Sequence, residues 1–130
     1  MRFFIAIVLM LGSFCLSAQG TEKIADLLGA GNSKVLSGHF TPNVDLTVVD
    51  TDDVYSKAQA EQILKKFFEE SNPTNFKVEH DGKTNAGDGY VIGTLSTQKG
   101  KYRVTYFLKQ MDQSLLIKQL RIEESSDEIR

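Results

Sequence analysis

The chain has 130 residues, with 15 Lys+Arg against 17 Asp+Glu for a formal charge of −2; 41% of its residues are hydrophobic and 25% charged. These proportions exclude a collagenous, low-complexity or wholly disordered chain, and the length suits one small domain rather than several. The basic residues are scattered, so neither a polybasic membrane surface nor a groove that tracks nucleic-acid phosphates is indicated.

Residues 1–20 read as an export leader. Arg2 gives the positive start, Phe3 to Leu11 is an unbroken apolar run, and Gly12 to Gly20 is rich in small residues. Counted to Leu16, the segment falls short of the roughly 20 apolar residues that span a bilayer, which favours a cleaved signal peptide over an anchor. Cleavage after Ala18 leaves Leu16 at the third position back; cleavage after Gly20 places Ala18 and Gly20 at the two small positions. Cys15 is the only cysteine, and the bulky Phe14 before it argues against lipid attachment there. The exported chain then holds no disulfide and depends on its apolar core. The expected organisation is a signal peptide over 1–20 and a single domain over 21–130, with 124–130 frayed and no membrane span left after cleavage.

Thr21 is a cap candidate for a helix with Ile24, Leu27 and Leu28 at helical spacing, ended by Gly29-Ala30-Gly31. Asn32 can cap a second short helix carrying Val35, Leu36, His39 and Phe40 along one side, broken by Thr41-Pro42-Asn43. Val44 to Val49 alternates and is β-branched, so it reads as a strand. Ser56-Lys57-Ala58-Gln59 has the form of a capping box. Ala60, Ile63, Leu64, Phe67 and Ser71 then follow a helical stripe, widened by Phe68 and stopped by Asn72-Pro73. From Phe76 the period becomes two. Phe76, Val78 and His80 alternate with polar residues, Asp81-Gly82 reads as a turn, and Lys83 to Gly89 as a polar loop. Tyr90 to Thr97 and Lys101 to Lys109 form a hairpin around Gln98-Lys99-Gly100, and Leu115 to Glu123 is the last strand.

Both faces of the late strands carry apolar groups. Tyr102, Val104, Tyr106 and Leu108 share one face and Arg103, Thr105 and Phe107 the other. A sheet wetted on one side alternates more cleanly, so helices cover one face and the other is partly covered or paired with a partner. Two to three helices packed on a curved antiparallel sheet of four to five strands make an α+β domain.

The order helix, helix, strand, helix, then four strands is similar to the cystatin-like cone of the nuclear transport factor 2-like superfamily. The chain more narrowly resembles a family of uncharacterised exported bacterial proteins, domains of unknown function, with that fold. The stretches that carry the resemblance are Ser56 to Phe68, Phe76 to Gly82, Ile92 to Leu95, Gly100 to Val104 and Leu120 to Glu123. Members of the wider fold include isomerases, dehydratases, ligand-binding modules and protein-interaction domains, so the resemblance implies a fold and no particular activity.

The chemistry-bearing residues are sparse. His39 and His80 are far apart and have no cysteine to join them, so zinc spacing is absent. Asp50-Thr51-Asp52-Asp53 begins like a calcium loop, but Val54 and Tyr55 stand where an oxygen ligand and a glycine are needed. Gly82, Gly87 and Gly89 precede no helix start, which suits turns rather than a phosphate cradle. There is no Gly-x-Ser-x-Gly. No metal and no cofactor are expected.

Two constellations remain. His39 at a helix end and Asp45 early in the next strand are candidates for a catalytic acid/base pair, against packing of His39 at the core edge and solvent exposure of Asp45. His80, Tyr90, Tyr102 and Arg103 are candidates to line a ligand pocket, with Arg103 holding an anionic or carbonyl group. The alternative roles are core packing for Tyr102 and a cross-strand pair between Arg103 and Glu123. The leading expectation is an exported, non-catalytic module that binds a small apolar ligand or a protein through a cone-shaped pocket or a sheet face, with a homodimer through the sheet as one form. The alternative is a small cofactor-free isomerase- or dehydratase-like enzyme using a pocket His or Asp. The receptacle form of either reading requires the helix from Ser56 to lie across a bent sheet and enclose a hollow.

Overall fold

The computed structural model describes residues 19–125. The proposed leader up to Ala18 and the tail from Ser126 lie outside the described residues. The elements in chain order are α1 (Gln19–Ala30), α2 (Ser33–Ser37), β1 (Phe40–Val48), β2 (Thr51–Ser56), α3 (Lys57–Ser71), β3 (Pro73–Lys83), β4 (Gly89–Thr97), β5 (Gly100–Met111) and β6 (Ser114–Glu124). All six strands join one sheet in the order β2-β1-β6-β5-β4-β3. Three helices pack on this curved sheet, as the α+β reading requires. The sheet has six strands rather than four to five, and it is mixed rather than wholly antiparallel, because β1 runs parallel to β6.

The additional strand is β2. It pairs only with β1, from Asn43–Ser56 to Val48–Thr51, and none of its residues is buried. An edge strand wet on both faces has no apolar alternation, so Thr51-Asp52-Asp53 looks like loop until β1 is there to pair with it. β1 also begins earlier than its β-branched run suggests. Its pairing with β6 passes from Phe40–Ile117 to Asp45–Gln119, so the stretch holding Pro42 bulges out of the ladder. The Thr41 hydroxyl fills that gap, donating to the Asn43 carbonyl at 2.7 Å and lying 3.3 Å from the Ile117 carbonyl. The second helix is correspondingly shorter than expected. The Asn32 side chain caps it by accepting from the Val35 N–H at 3.1 Å, it ends at Ser37, and Phe40 belongs to the sheet.

α3 follows its sequence closely. Ser56 Oγ accepts from the Gln59 N–H at 3.2 Å and the Gln59 side chain accepts from the Ser56 N–H at 3.2 Å, which closes the capping box. Ala60, Leu64, Phe68 and Ser71 are buried at the i+4, i+8 and i+11 spacings of one helical face, with Ile63 and Phe67 flanking them. Asn72 takes a left-handed conformation, φ 56°, and Pro73 opens β3.

β3 does not turn at Asp81-Gly82. It continues to Lys83, and the turn lies at 84–88, where Thr84 N–H donates to the Asp88 carbonyl at 2.8 Å. Gly82 is there for a contact distant in sequence: the Tyr90 ring on β4 lies over it, and a Cβ would sit 2.6 Å from Tyr90 Cε1. Gly93 plays the same part on the opposite face, under the Phe76 ring, where a Cβ would come within 2.6 Å of Phe76 Cζ.

The helices and the sheet enclose one core. Val104, Tyr106 and Leu108 of β5, Ile117, Leu120 and Ile122 of β6, and Leu46 of β1 meet Ile24, Leu28, Leu36 and Leu64 from the helices, all at 2% exposure or less. α1 lies against β3 and β4, and α3 against β1 and β2. These side chains pack beneath the helices. At roughly 1.5–3 kcal/mol for each large apolar side chain buried, this face supplies the stability that a chain without disulfides must find.

Candidate functional site

Strand parity sorts the sequence candidates. Successive side chains of a strand point to opposite faces. One face of the sheet is the helix-covered face just described. The other, the open face, carries Tyr90, Ile92 and Thr94 on β4, Arg103, Thr105 and Phe107 on β5, and Gln119, Arg121 and Glu123 on β6. Across it on β1 and β2 come Asp45, Thr47, Asp52 and Val54. Its apolar members Tyr90, Ile92 and Phe107 are half-buried, and Val54 is 60% exposed.

His80, Tyr90 and Arg103 all fall on the open face. His80 stands opposite Ile92, Tyr90 opposite Gly82, and Arg103 between Thr94 and Glu123. Tyr102 does not join them, because it neighbours Arg103 on one strand and so faces the helices. There its ring meets Phe67 edge-on, with centroids 5.1 Å apart at 84°. Tyr102 and Phe67 wall a cleft of about 370 Å³ between α3 and the β1–β2 and β4–β5 turns, with Ile63, Lys66 and Lys99 also on its lining. A larger, more polar cleft of about 630 Å³ lies between the α1–α2 turn and α3.

His39 and Asp45 are not brought together. Six residues of mostly extended chain, roughly 20 Å at strand rise, separate them along the strand. His39 is half-buried beside Lys23, and burial, with the lysine charge adding, lowers its pKa and favours neutral imidazole. Asp45 lies on the open face. The acidic run after β1 does not converge either. Asp52 accepts from the Thr47 hydroxyl at 3.0 Å on the open face, whereas Asp53 is aligned with inward-facing Leu46 and accepts from the Val54 N–H at 2.7 Å. No group of His, Cys, Asp and Glu suited to a metal is present among the described residues.

Two features have no clear mark in the sequence. Arg121 on the open face donates to Glu123 at 2.8 Å. That bond and charge raise its pKa, with smaller contributions from Asp52 and Asp45. Arg103 therefore faces Glu123 in register, as cross-strand reasoning suggests, while the Glu123 carboxylate is bonded to Arg121. The other feature is Tyr106. Its hydroxyl is fully buried without a hydrogen-bond partner among the described residues, and burial, helped by Asp81, pushes the phenol pKa up. Its ring lies 6.3 Å from that of Phe76. The alternation of β5 places the ring inward, but its burial beside Phe76 depends on β3, which is distant in sequence.

The fold has known counterparts. The model for the DUF4783 family, a domain of unknown function, matches residues 21–123, and the chain belongs to that family. A DUF4783 family protein from Bacteroides uniformis is 31% identical, with a TM-score of 0.75 over 80% of this chain and 95% of its own. One from Bacteroides ovatus is also 31% identical, with a TM-score of 0.74 over 78% of this chain and 92% of its own. A nuclear transport factor 2-like design at 13% identity shares the fold alone, with a TM-score of 0.68 over 83% of this chain and 96% of its own. A sequence search of curated proteins found no match. The domain is thus a DUF4783 member that shares its fold with a nuclear transport factor 2-like design. No helix among the described residues is long and apolar enough to cross a membrane.

Proposed function

We propose that this protein is an exported, non-catalytic interaction module whose working surface is the open face of the sheet. The observation that carries this reading is the contrast between the two faces. The helix-covered face carries the buried side chains of Leu46, Tyr106, Leu120 and their neighbours, while Tyr90, Ile92, Phe107 and Val54 stay partly exposed on the other side. Tyr90, Ile92 and Phe107 adjoin on β4 and β5, and an apolar group of this kind with polar residues around it suits contact with another macromolecule. The catalytic alternative finds less support, because its imidazole and carboxylate candidates, His39 and Asp45, are not within proton-transfer reach.

Hydroxyl-radical footprinting in the compartment to which the leader directs the chain tests this. Tyr90, Ile92 and Phe107 should label less there than in the dilute purified protein. Unchanged labelling on the open face, with protection instead at Tyr102 and Phe67, would overturn the reading in favour of a small ligand in the cleft beside α3.

A further inference from the structure

The larger cleft, of about 630 Å³, lies on the helix side and shares no residue with the open face. Four parts of the chain converge on it. α1 stops at Ala30, α2 starts after Asn32, α3 stops at Ser71, and the β4–β5 turn brings Gln98 alongside. The backbone here is pinned. Asn32 N–H donates to the Leu27 carbonyl at 3.0 Å, and Gln98 N–H is shared between the Ser71 and Asn72 carbonyls at 3.0 and 3.1 Å. Gly31 and Asn72 take left-handed conformations, φ 68° and 56°, and a Cβ on Gly31 would come within 3.3 Å of the Pro73 ring. The walls are therefore formed before anything enters, which spares a ligand the cost of ordering them.

The side chains, by contrast, are left unpaired. Ser33 lines the cleft at 8% exposure, yet its hydroxyl has no hydrogen-bond partner among the described residues. A hydroxyl withdrawn that far from water without a bond costs free energy, and a ligand that pairs with it removes the cost. The Asn72 and Gln98 side-chain amides and the Lys34, Lys65 and Glu69 charges likewise have no hydrogen bond or ion pair among the described residues. Asn32 Oδ1 accepts from the Val35 N–H at 3.1 Å, so its amide is left with N–H groups to donate. Glu61 is half-buried and receives only a long 3.4 Å contact from the Ser37 hydroxyl, which lies closer to the Lys34 carbonyl, at 2.9 Å.

This inventory selects a class of ligand. Two lysines against two glutamates leave no net charge, so an anion meets Glu61 and Glu69 while a cation meets Lys34 and Lys65. Donors and acceptors are both plentiful, and Phe68 and Pro73 add apolar surface to the lining. The matching molecule carries no charge, several hydroxyls that each donate and accept, and some C–H surface. We propose that the cleft binds a neutral sugar, a pyranose or short oligosaccharide, whose hydroxyls bond to Ser33, Glu61, Asn72 and Gln98. Its volume falls in the roughly 300–1,000 Å³ range of small-molecule pockets. The site is independent of the open face, and either can stand without the other.

Titration of the purified, isotope-labelled chain with glucose, galactose, N-acetylglucosamine, maltose and cellobiose, followed by NMR, tests it. Citrate and spermidine are the charged comparisons. At least one sugar should shift the backbone signal of Ser33 and the side-chain amide signals of Asn72 and Gln98 at millimolar concentration, and leave those of Tyr90 and Phe107 in place. Ser33→Ala and Gln98→Ala should each raise its dissociation constant about fivefold, the effect of one lost hydrogen bond. Neither side chain bonds to the rest of the described chain, so the thermal midpoints of both unliganded variants should match the wild type. Silence from all of these sugars at tens of millimolar overturns the site. So does a stronger response to citrate or spermidine, or sugar binding that both variants leave intact. Shifts confined to Phe67 and Tyr102 would put the sugar in the smaller cleft and overturn it equally.

Discussion

The two faces of the sheet are made from the same strands and often from adjacent residues, yet they serve different ends. On β5, Val104, Tyr106 and Leu108 are buried by the helices, while Arg103, Thr105 and Phe107, each one residue away, lie on the side that carries no buried core. Burial is what the inward side contributes. The outward side contributes chemistry, in the form of charged and polar groups around a partly exposed apolar strip. Substitutions should therefore separate cleanly, with inward changes acting on stability and outward changes on association.

The largest effect should come from the interior. Leu120→Ala removes a side chain at 0% exposure from the centre of the core and should lower unfolding free energy in urea by about 2–5 kcal/mol. Phe107→Ser on the opposite side, measured where the chain is monomeric, should cost about 1 kcal/mol or less, the scale of a cross-strand pair. Equal costs would mean that the open face is structural and not free to serve a partner. Next in size is Gly93→Ala. The new methyl meets the Phe76 ring and the Lys77 carbonyl, and overpacking of this kind should cost about 1–3 kcal/mol, measured in the same way.

Gly93 and Gly82 also show where local reading ends. α3 is legible because its signals are local: the serine and glutamine of the capping box are three residues apart, and the stripe repeats within the helix. The β4–β5–β6 meander is legible because its strands are consecutive and their alternation is regular. β2 is not, since an edge strand exposed on both sides needs no apolar pattern. Asp81-Gly82 resembles a turn, yet its glycine answers to Tyr90, across a strand pair. The candidates divide for the same reason. Tyr102 and Arg103 cannot share a surface, as parity alone predicts, whereas the approach of Glu123 to Arg103 depends on β6 lying beside β5. The full membership of the open face becomes visible only once β1 is known to run alongside β6, a parallel pairing of segments more than seventy residues apart.

Tyr106→Phe asks whether the buried hydroxyl serves the protein. An orphaned polar atom in an apolar core costs free energy, so removing it should leave stability unchanged or raise it by about 1 kcal/mol, read from urea or thermal denaturation. A loss of more than about 1 kcal/mol would mean that the oxygen has a hydrogen-bonding partner in solution, and that the inward side has a polar function as well.

The smallest expected effect concerns His39, at the margin between interior and solvent. Burial and Lys23 depress its folded-state pKa below the ordinary 6.5. As pH falls through 6.5 the unfolded chain takes up a proton that the folded chain resists, so stability declines over the interval between 6.5 and the depressed folded value. Below that value both states are protonated and this contribution stops changing. His39→Gln should remove that component, leaving a thermal midpoint that falls less between pH 7.5 and 5.5 than in the wild type. A variant whose midpoint falls as steeply as that of the wild type would mean that His39 is not tied to the interior, and that the boundary between the two sides runs elsewhere.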